Sequence, residues 1–327
     1  MRLALALALA ACGKPTEQAT NQGSGSAAAT LRVVTRLAAD STLVAGSRRV
    51  AIFSGDRWLE SKAGALEPVP ATAAELVRLR GGLGELELHL GLTAIAIGGE
   101  EHHERIVRIG AGEVVLADAH VEQVVATDAH EVWSYKDRLR SRLAVIDPAG
   151  QLTPLPELAL IGKPIEGASP VSTKLCATPA IEDVAATRDT VVALVVECDP
   201  DAPVRLVTYR WPGPTATVEL VGSRTALGFA PRQLAVNRGA RAIAGPGHVL
   251  RLGAAQPTRF AGASITGLEL ADDGTPWLLA DGALLRDGVT VPVARGTPTA
   301  LARDAGLGIV VLATAPTGSW LLATASK

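Results

Sequence analysis

Aromatic side chains make up only 3% of this 327-residue chain: five Trp, three Phe and two Tyr, with a single Met. Yet 48% of the residues are apolar, so any core must be packed from Ala, Val and Leu. Charge of one sign is missing too. Lys and Arg total 31 against 33 Asp and Glu, for a net charge of −2, and the two signs are interspersed. Without a basic stripe there is no electrostatic footprint for nucleic acid, which excludes it as a partner class. Beyond the first residues no apolar run has spanning length: the longest, Leu307 to Ala315, is nine residues, against about 20 for a membrane helix. It suits a buried strand. Several catalytic signatures are absent as well. Gly162-Lys163-Pro164 does not complete a phosphate loop. There is no Gly-x-Ser-x-Gly elbow, no Cys-x-x-Cys pair and no His-Glu-x-x-His helix. No cofactor is implied, and an enzyme becomes the weaker reading without being excluded.

What is present begins at the N-terminus, MRLALALALAACGKPTEQATNQGSGSAAAT. Arg2 is followed by nine apolar residues, Leu3 to Ala11, too short to span a bilayer but laid out as a secretory signal. Its end, Leu9-Ala10-Ala11-Cys12, resembles the lipobox of bacterial lipoproteins; the alternative is an ordinary signal with a chance cysteine. The resemblance implies cleavage after Ala11, lipidation of Cys12 and, with Gly13 rather than Asp next, delivery to the outer membrane. An acyl chain contributes about 0.8 kcal/mol per buried CH₂, and stable anchoring takes two signals, which a multiply acylated cysteine supplies. Residues 1–11 are then the signal peptide. Residues 12–29 are the lipidated cysteine and a Gly/Ser/Ala-rich tether, and 30–327 are the folded domain.

Three cysteines occur, Cys12, Cys176 and Cys198. With Cys12 lipidated, an even pair remains in an oxidising compartment. A Cys176–Cys198 bridge is expected, against two buried thiols as the alternative.

An internal repeat organises the rest. Its clearest unit is ITGLELADDGTPWLLADGALLRDGVTVPV, residues 265–293: alternating strands separated by Asp-Asp-Gly and Asp-Gly turns. Through Asp272, Gly274, Trp277 and Gly282 this unit resembles the regulator-propeller repeat, which implies a β-propeller. Unit starts fall at Asp40, Leu83, Val121, Ile181, Pro231, Ile265 and Pro298. The residues three further on (Leu43, Leu86, Val124, Val184, Leu234, Leu268, Leu301) and twelve further on (Ile52, Ile95, Trp133, Ala193, Ile243, Trp277, Val310) are all apolar. The expected fold is all-β, a propeller of about seven four-stranded blades, with tandem β-sandwiches as the competitor. Leu31 to Ala38 has no unit of its own and is expected to complete the last blade, closing the ring. A Pro-rich insertion is expected around residues 152–180, and a short helix over Ala71 to Arg80.

Polar clusters are few. His102 and His103, within Glu-Glu-His-His-Glu, are weak metal candidates. Neighbours on a strand point to opposite faces, and the spacing fits a solvated hairpin tip better. Asp118 with His120, and Asp128 with His130, are i, i+2 pairs that share a face and are able to hold a metal or brace a turn; bracing is the simpler role. The five tryptophans are expected between blades rather than on a sugar-stacking surface. No catalytic residues are identified. Together these features point to a membrane-anchored, non-catalytic binding or scaffold module of the envelope with a protein or glycan ligand. The alternative is a hydrolase or lyase working in the propeller's central channel.

Overall fold

A computed structural model describes residues 30–324 except 56, 70–85, 101–102, 109–111, 115–118, 138–139, 161–175, 177 and 214. The signal and tether, Cys12, His102, Asp118 and the helix expected over Ala71 to Arg80 lie outside the described residues.

Seven antiparallel sheets of four strands form the blades of a β-propeller. In chain order, blade 1 comprises Thr42–Ala45, Val50–Ser54, Arg57–Lys62 and Ala65–Pro68, and blade 2 Leu86–Leu90, Ala94–Glu100, His103–Arg108 and Gly112–Val114. Blade 3 follows with Ala119–Ala126, Glu131–Asp137, Arg140–Ile146 and Leu152–Pro154. Blade 4 is built from Ala180–Ala186, Thr190–Val196, Pro203–Arg210 and Thr215–Ser223. Blade 5 has Gln233–Asn237, Ala240–Gly245, His248–Arg251 and Thr258–Arg259, and blade 6 Ile265–Leu270, Pro276–Ala280, Ala283–Arg286 and Val289–Thr290. Thr297–Asp304, Gly308–Ala315 and Gly318–Thr324 make three strands of blade 7, and Leu31–Leu37 adds the fourth by pairing with Gly318–Thr324. The N-terminal strand therefore closes the ring, and closure removes the mismatched edge that an open sheet array would leave.

The first strand of each blade touches the first strands of both neighbouring blades around a central channel. The repeat register has a direct structural meaning. Leu43 pairs across strands with Ile52, Val124 with Trp133, Val184 with Ala193 and Leu234 with Ile243. In blades 6 and 7 the partner is one residue further along, and in blade 2 Ile95 pairs with His89 instead of Leu86. All seven second-strand residues of that register are buried. Alternation sends successive side chains to opposite sheet faces, and the apolar ones collect into seven clusters, one at each junction between adjacent blades. Trp58, Trp133 and Trp277 are fully buried in three of these junctions, and Trp211 and Trp320 pack at the edges of two.

Extra chain separates blades 3 and 4. Leu152–Pro154 is a strand, paired with Ala144–Ile146, so the additional length lies between Pro154 and Ala180. Its first residues are docked: Arg205 Nη1 donates to Ala159 O at 2.7 Å and the Tyr209 hydroxyl to Pro156 O at 3.3 Å. Its far end is pinned by the Cys176–Cys198 disulfide, with Cα atoms 5.5 Å apart. Arg224, in a four-residue helix at Arg224–Leu227, donates to the carbonyls of Glu197 and Cys198 at 2.9 and 2.6 Å.

Candidate functional site

Four of the channel-lining strands, in blades 3, 4, 6 and 7, carry a β-bulge at the same position of the repeat, at Glu122, Glu182, Thr266 and Thr299. A bulge twists its strand and re-aims the neighbouring side chain. In blades 3 and 4 the re-aimed residues are Gln123 and Asp183, and in blades 6 and 7 they are the small Gly267 and Ala300. A Cβ on Gly267 would stand 3.2 Å from Leu279 and from Leu301, so the close packing there selects glycine.

Asp183 is a joint between three blades. Its Oδ1 accepts from Gln123 Nε2 and from Val184 N, both at 2.8 Å, and its Oδ2 accepts from Leu234 N at 2.6 Å. Burial nevertheless pushes its carboxyl up to about 6, against the pull of those three donors. Glu269, on blade 6, has risen further, to about 7, because it lies deep in the protein near the negative Asp183; the cationic Arg303 works in the other direction.

Asp183, Glu269, Arg303, His89 and Arg48 line one cavity of about 360 Å³ in the channel. Arg303 is 7% exposed, and its Nη1 makes no hydrogen bond, lying 3.7 Å from Asp272 Oδ1. Burial, with Arg48 and Arg238 nearby, holds its guanidinium below the ordinary value. Burial likewise lowers His89, with Glu87 opposing.

The mouth at the ends of the channel strands is crossed by the blade 1 turn. Ser47 N donates to Ala126 O of blade 3 at 2.9 Å, and its hydroxyl donates to Ala186 O of blade 4. Arg48 O in turn accepts from Ala305 N of blade 7 at 2.9 Å. Toward the opposite mouth a second cavity, of about 430 Å³, is lined by Glu122, Lys136, Glu182 and Arg232 and shares Gln123 and Asp183 with the first.

Among the described residues singled out in the sequence, His103, His120, Asp128 and His130 do not line either cavity. His120 Nδ1 is paired with Glu104 Oε1, while Glu104 Oε2 accepts from Val121 N at 3.1 Å. His130, at the other end of the same strand, is 1% exposed, with Nδ1 3.4 Å from Thr127 Oγ1. The brace of that turn is therefore Thr127, which accepts from the backbone of Ala129 and His130; Asp128 acts on His130 through its charge alone. Glu100 and His103 pair across two strands of blade 2; His102 lies outside the described residues. Among the described residues no group of three His, Cys, Asp or Glu side chains is arranged to hold a metal, and no helix is long and apolar enough to cross a membrane.

Sequence reasoning passed over Glu269 and Arg303, although a signal for both was there. At Glu269's place in the repeat, blades 1, 3, 4, 5 and 7 carry Val44, Val125, Ala185, Ala235 and Ala302; one step on, where Arg303 stands, blades 3 and 4 carry Ala126 and Ala186. Two opposite charges stand where those blades are apolar, although blade 2 carries Glu87 at the first of the two places.

The outer rim offers a second feature. The outermost strands of blades 1, 2, 3, 5 and 6 are four, three, three, two and two residues long. That of blade 4, Thr215–Ser223, has nine, with Val218 56% and Leu220 60% exposed.

No family model matches the sequence, and no curated protein does. Among solved structures the chain is similar to the AfRom2 CNH domain, at 9% identity and a TM-score of 0.50 over 91% of this chain and 99% of that one. The streptogramin B lyase aligns at 10% identity and 0.49 over 90% and 97%. Hsv2 of Kluyveromyces lactis aligns at 9% and 0.48 over 88% and 97%. At such identities the likeness is one of fold.

Proposed function

We propose that the chain is an exported, lipid-anchored module of the bacterial envelope that binds a partner protein without transforming it. The observation carrying this reading is the outer edge of blade 4. Proteins shorten, charge or cover the free edges of their sheets because an unpaired edge recruits another strand. Five blades here obey that rule with strands of four residues or fewer, whereas blade 4 keeps nine residues with two exposed apolar side chains. An extended segment of another envelope protein would add to this edge by main-chain hydrogen bonds, with the exposed side chains of Val218 and Leu220 favouring apolar residues in it. Support for export comes from the Cys176–Cys198 disulfide, and support for the anchor from Leu9-Ala10-Ala11-Cys12. Support for a non-catalytic role comes from Asp183, both of whose carboxylate oxygens accept hydrogen bonds from neighbouring residues, and from His120, whose Nδ1 is paired with Glu104.

The test is recovery of partners from gently solubilised envelopes by the full-length protein, by Cys12→Ser and by a Val218→Lys/Leu220→Lys double variant. A stoichiometric partner held by the first and lost by the double variant supports the reading. A partner held equally by both would overturn the edge as its site, and no partner at all would overturn the scaffold. One observation favours a channel hydrolase or lyase instead: a carboxyl near 7 such as Glu269 is in the range of a general acid. That reading requires a turnover that Glu269→Gln abolishes.

A further inference from the structure

We infer that the channel is a binding site for a small oxyanion, a carboxylate or phosphate group seated on Arg303 beside Arg48. The inference is independent of what occupies the rim. Arg303 is the carrying residue: it is more than nine-tenths buried, it lines the cavity, and its Nη1 has no hydrogen-bond partner. An unsatisfied buried donor on a charged group is expensive, so a fold that keeps one ordinarily gives it something to hold.

The surroundings suit an anion. Arg48, exposed at the rim of the same cavity, and Arg238, on the neighbouring turn of blade 5, add positive charge toward Arg303. The countercharges do not meet this need. Asp272 is 58% exposed in its side chain and shared, lying 3.2 Å from Arg238 Nη2 but 3.7 Å from Arg303 Nη1. Glu269 faces Arg303 from inside the channel, yet its depth keeps much of its population protonated near neutrality. A protonated Glu269 offers a hydrogen bond to an anion instead of competing with it.

Position in the repeat strengthens the case. An arginine at this place of the repeat, where the other blades carry Ala, Val or Leu, is not required by strand pairing, since those blades make the same sheet without one. The cavity volume of about 360 Å³ lies at the small end of ligand pockets, about 300–1,000 Å³. It fits a metabolite-sized solute or the terminal group of a longer molecule.

Titration calorimetry of the full-length protein in detergent, at constant ionic strength, tests the site with succinate, inorganic phosphate and the neutral succinamide. Saturable binding of succinate, phosphate or both, with none of succinamide, supports the inference; the stronger of the two names the oxyanion. Arg303→Gln should weaken it at least tenfold. Should that variant fail to fold, Arg48→Gln, an exposed change, should weaken binding about threefold. Glu269→Gln should leave binding intact or tighten it, an outcome that a merely structural role for Arg303 does not produce. The inference is overturned if no oxyanion binds saturably up to 10 mM (about the weakest affinity of interest). It is overturned equally if succinamide binds as well as succinate, or if binding survives unchanged in Arg303→Gln and Arg48→Gln.

Discussion

Arg108 of blade 2 grips Glu131 of blade 3 as a fork, Nη1 lying 2.5 Å from Oε1 and Nη2 2.8 Å from Oε2. Glu131 is completely buried and also accepts from Leu92 N at 2.6 Å and from Trp133 Nε1 at 2.7 Å. One carboxylate thus satisfies four donors and locks two blades together. Removing one partner of such a pair costs about 3–5 kcal/mol, because the other charge stays buried. Glu131→Ala should lose that much in urea unfolding, and Glu131→Gln, which keeps acceptor oxygen for some of the donors, clearly less. Gly91→Ala should be destabilised for the same reason, since a Cβ there would stand 2.5 Å from Glu131 Oε1. Equal stabilities for Glu131→Ala and the parent would refute the lock.

The disulfide makes a separate contribution. Closing a loop of 22 residues constrains the unfolded chain by about 3 kcal/mol on the loop-entropy model. Cys198→Ser should therefore lower stability by roughly that amount, and reductant should lower the melting temperature of the parent but not of the variant. Alkylation and mass measurement before reduction should find neither Cys176 nor Cys198 free.

The two channel carboxyls predict opposite responses. Glu269 ionises near 7 and Asp183 near 6 when folded, against about 4.3 and 3.9 in an unfolded chain. From about pH 4 to 7 the folded state holds protons that the unfolded state has released. Stability therefore falls as pH rises through that window and levels off above it. Glu269→Gln removes its share of this slope and should be more stable at pH 8, on the order of 2 kcal/mol after allowance for water in the channel. Asp183→Asn should instead destabilise by about 1–3 kcal/mol, because an amide NH₂ would be turned toward one of the N–H donors that both carboxylate oxygens now serve. Unfolding curves at pH 4.5, 6 and 8 for the three proteins separate the two effects.

These contrasts explain what was legible beforehand. Leu43 with Ile52 and Val124 with Trp133 were visible as a repeat because strand pairing is local: each pair spans nine residues, and the same spacing recurs in blades 4 and 5. Ring closure by Leu31–Leu37 was legible for a related reason, as a strand without a unit beside a unit short of a strand. Asp183 and Glu131 were not legible. Their donors are the side chains of Gln123 and Arg108 and the backbone N–H groups of Leu234 and Leu92, contributed by other blades, so the two carboxylates look like ordinary surface polars until the blades are brought side by side. His120 and His130 stood out by spacing, yet their geometry ties them to Glu104 and Thr127.

The rim strand of blade 4 can be tested for fold separately from partner binding. Val218 and Leu220 are more than half exposed, so lysine at both should change stability by no more than about 0.5 kcal/mol. It should also reduce any concentration-dependent self-association of the purified protein, since charge on a free edge opposes strand addition. A large loss of stability would mean that these side chains are packed against part of the same chain.

Closure yields the last prediction. Leu31–Leu37 covers the edge of Gly318–Thr324, with a bulge at Val34 and an Arg36 Nη2 contact to Thr317 O at 2.7 Å. Leu37 lies in the core between blades 7 and 1, with Val34 packed against it, while Leu31 packs at the junction of blades 6 and 7. Burying such side chains contributes about 1.5–3 kcal/mol each, so deleting residues 1–37 should cost on the order of 5 kcal/mol and expose a seven-residue edge. Because the strand is held only by pairing and packing, it need not be covalently joined to restore the fold. A peptide of residues 30–40 added to the truncated protein should raise its melting temperature saturably. The same peptide carrying Leu37→Asp should not. Full stability of the truncated protein without any peptide would mean that the ring holds through the junctions of blades 1 and 7 alone.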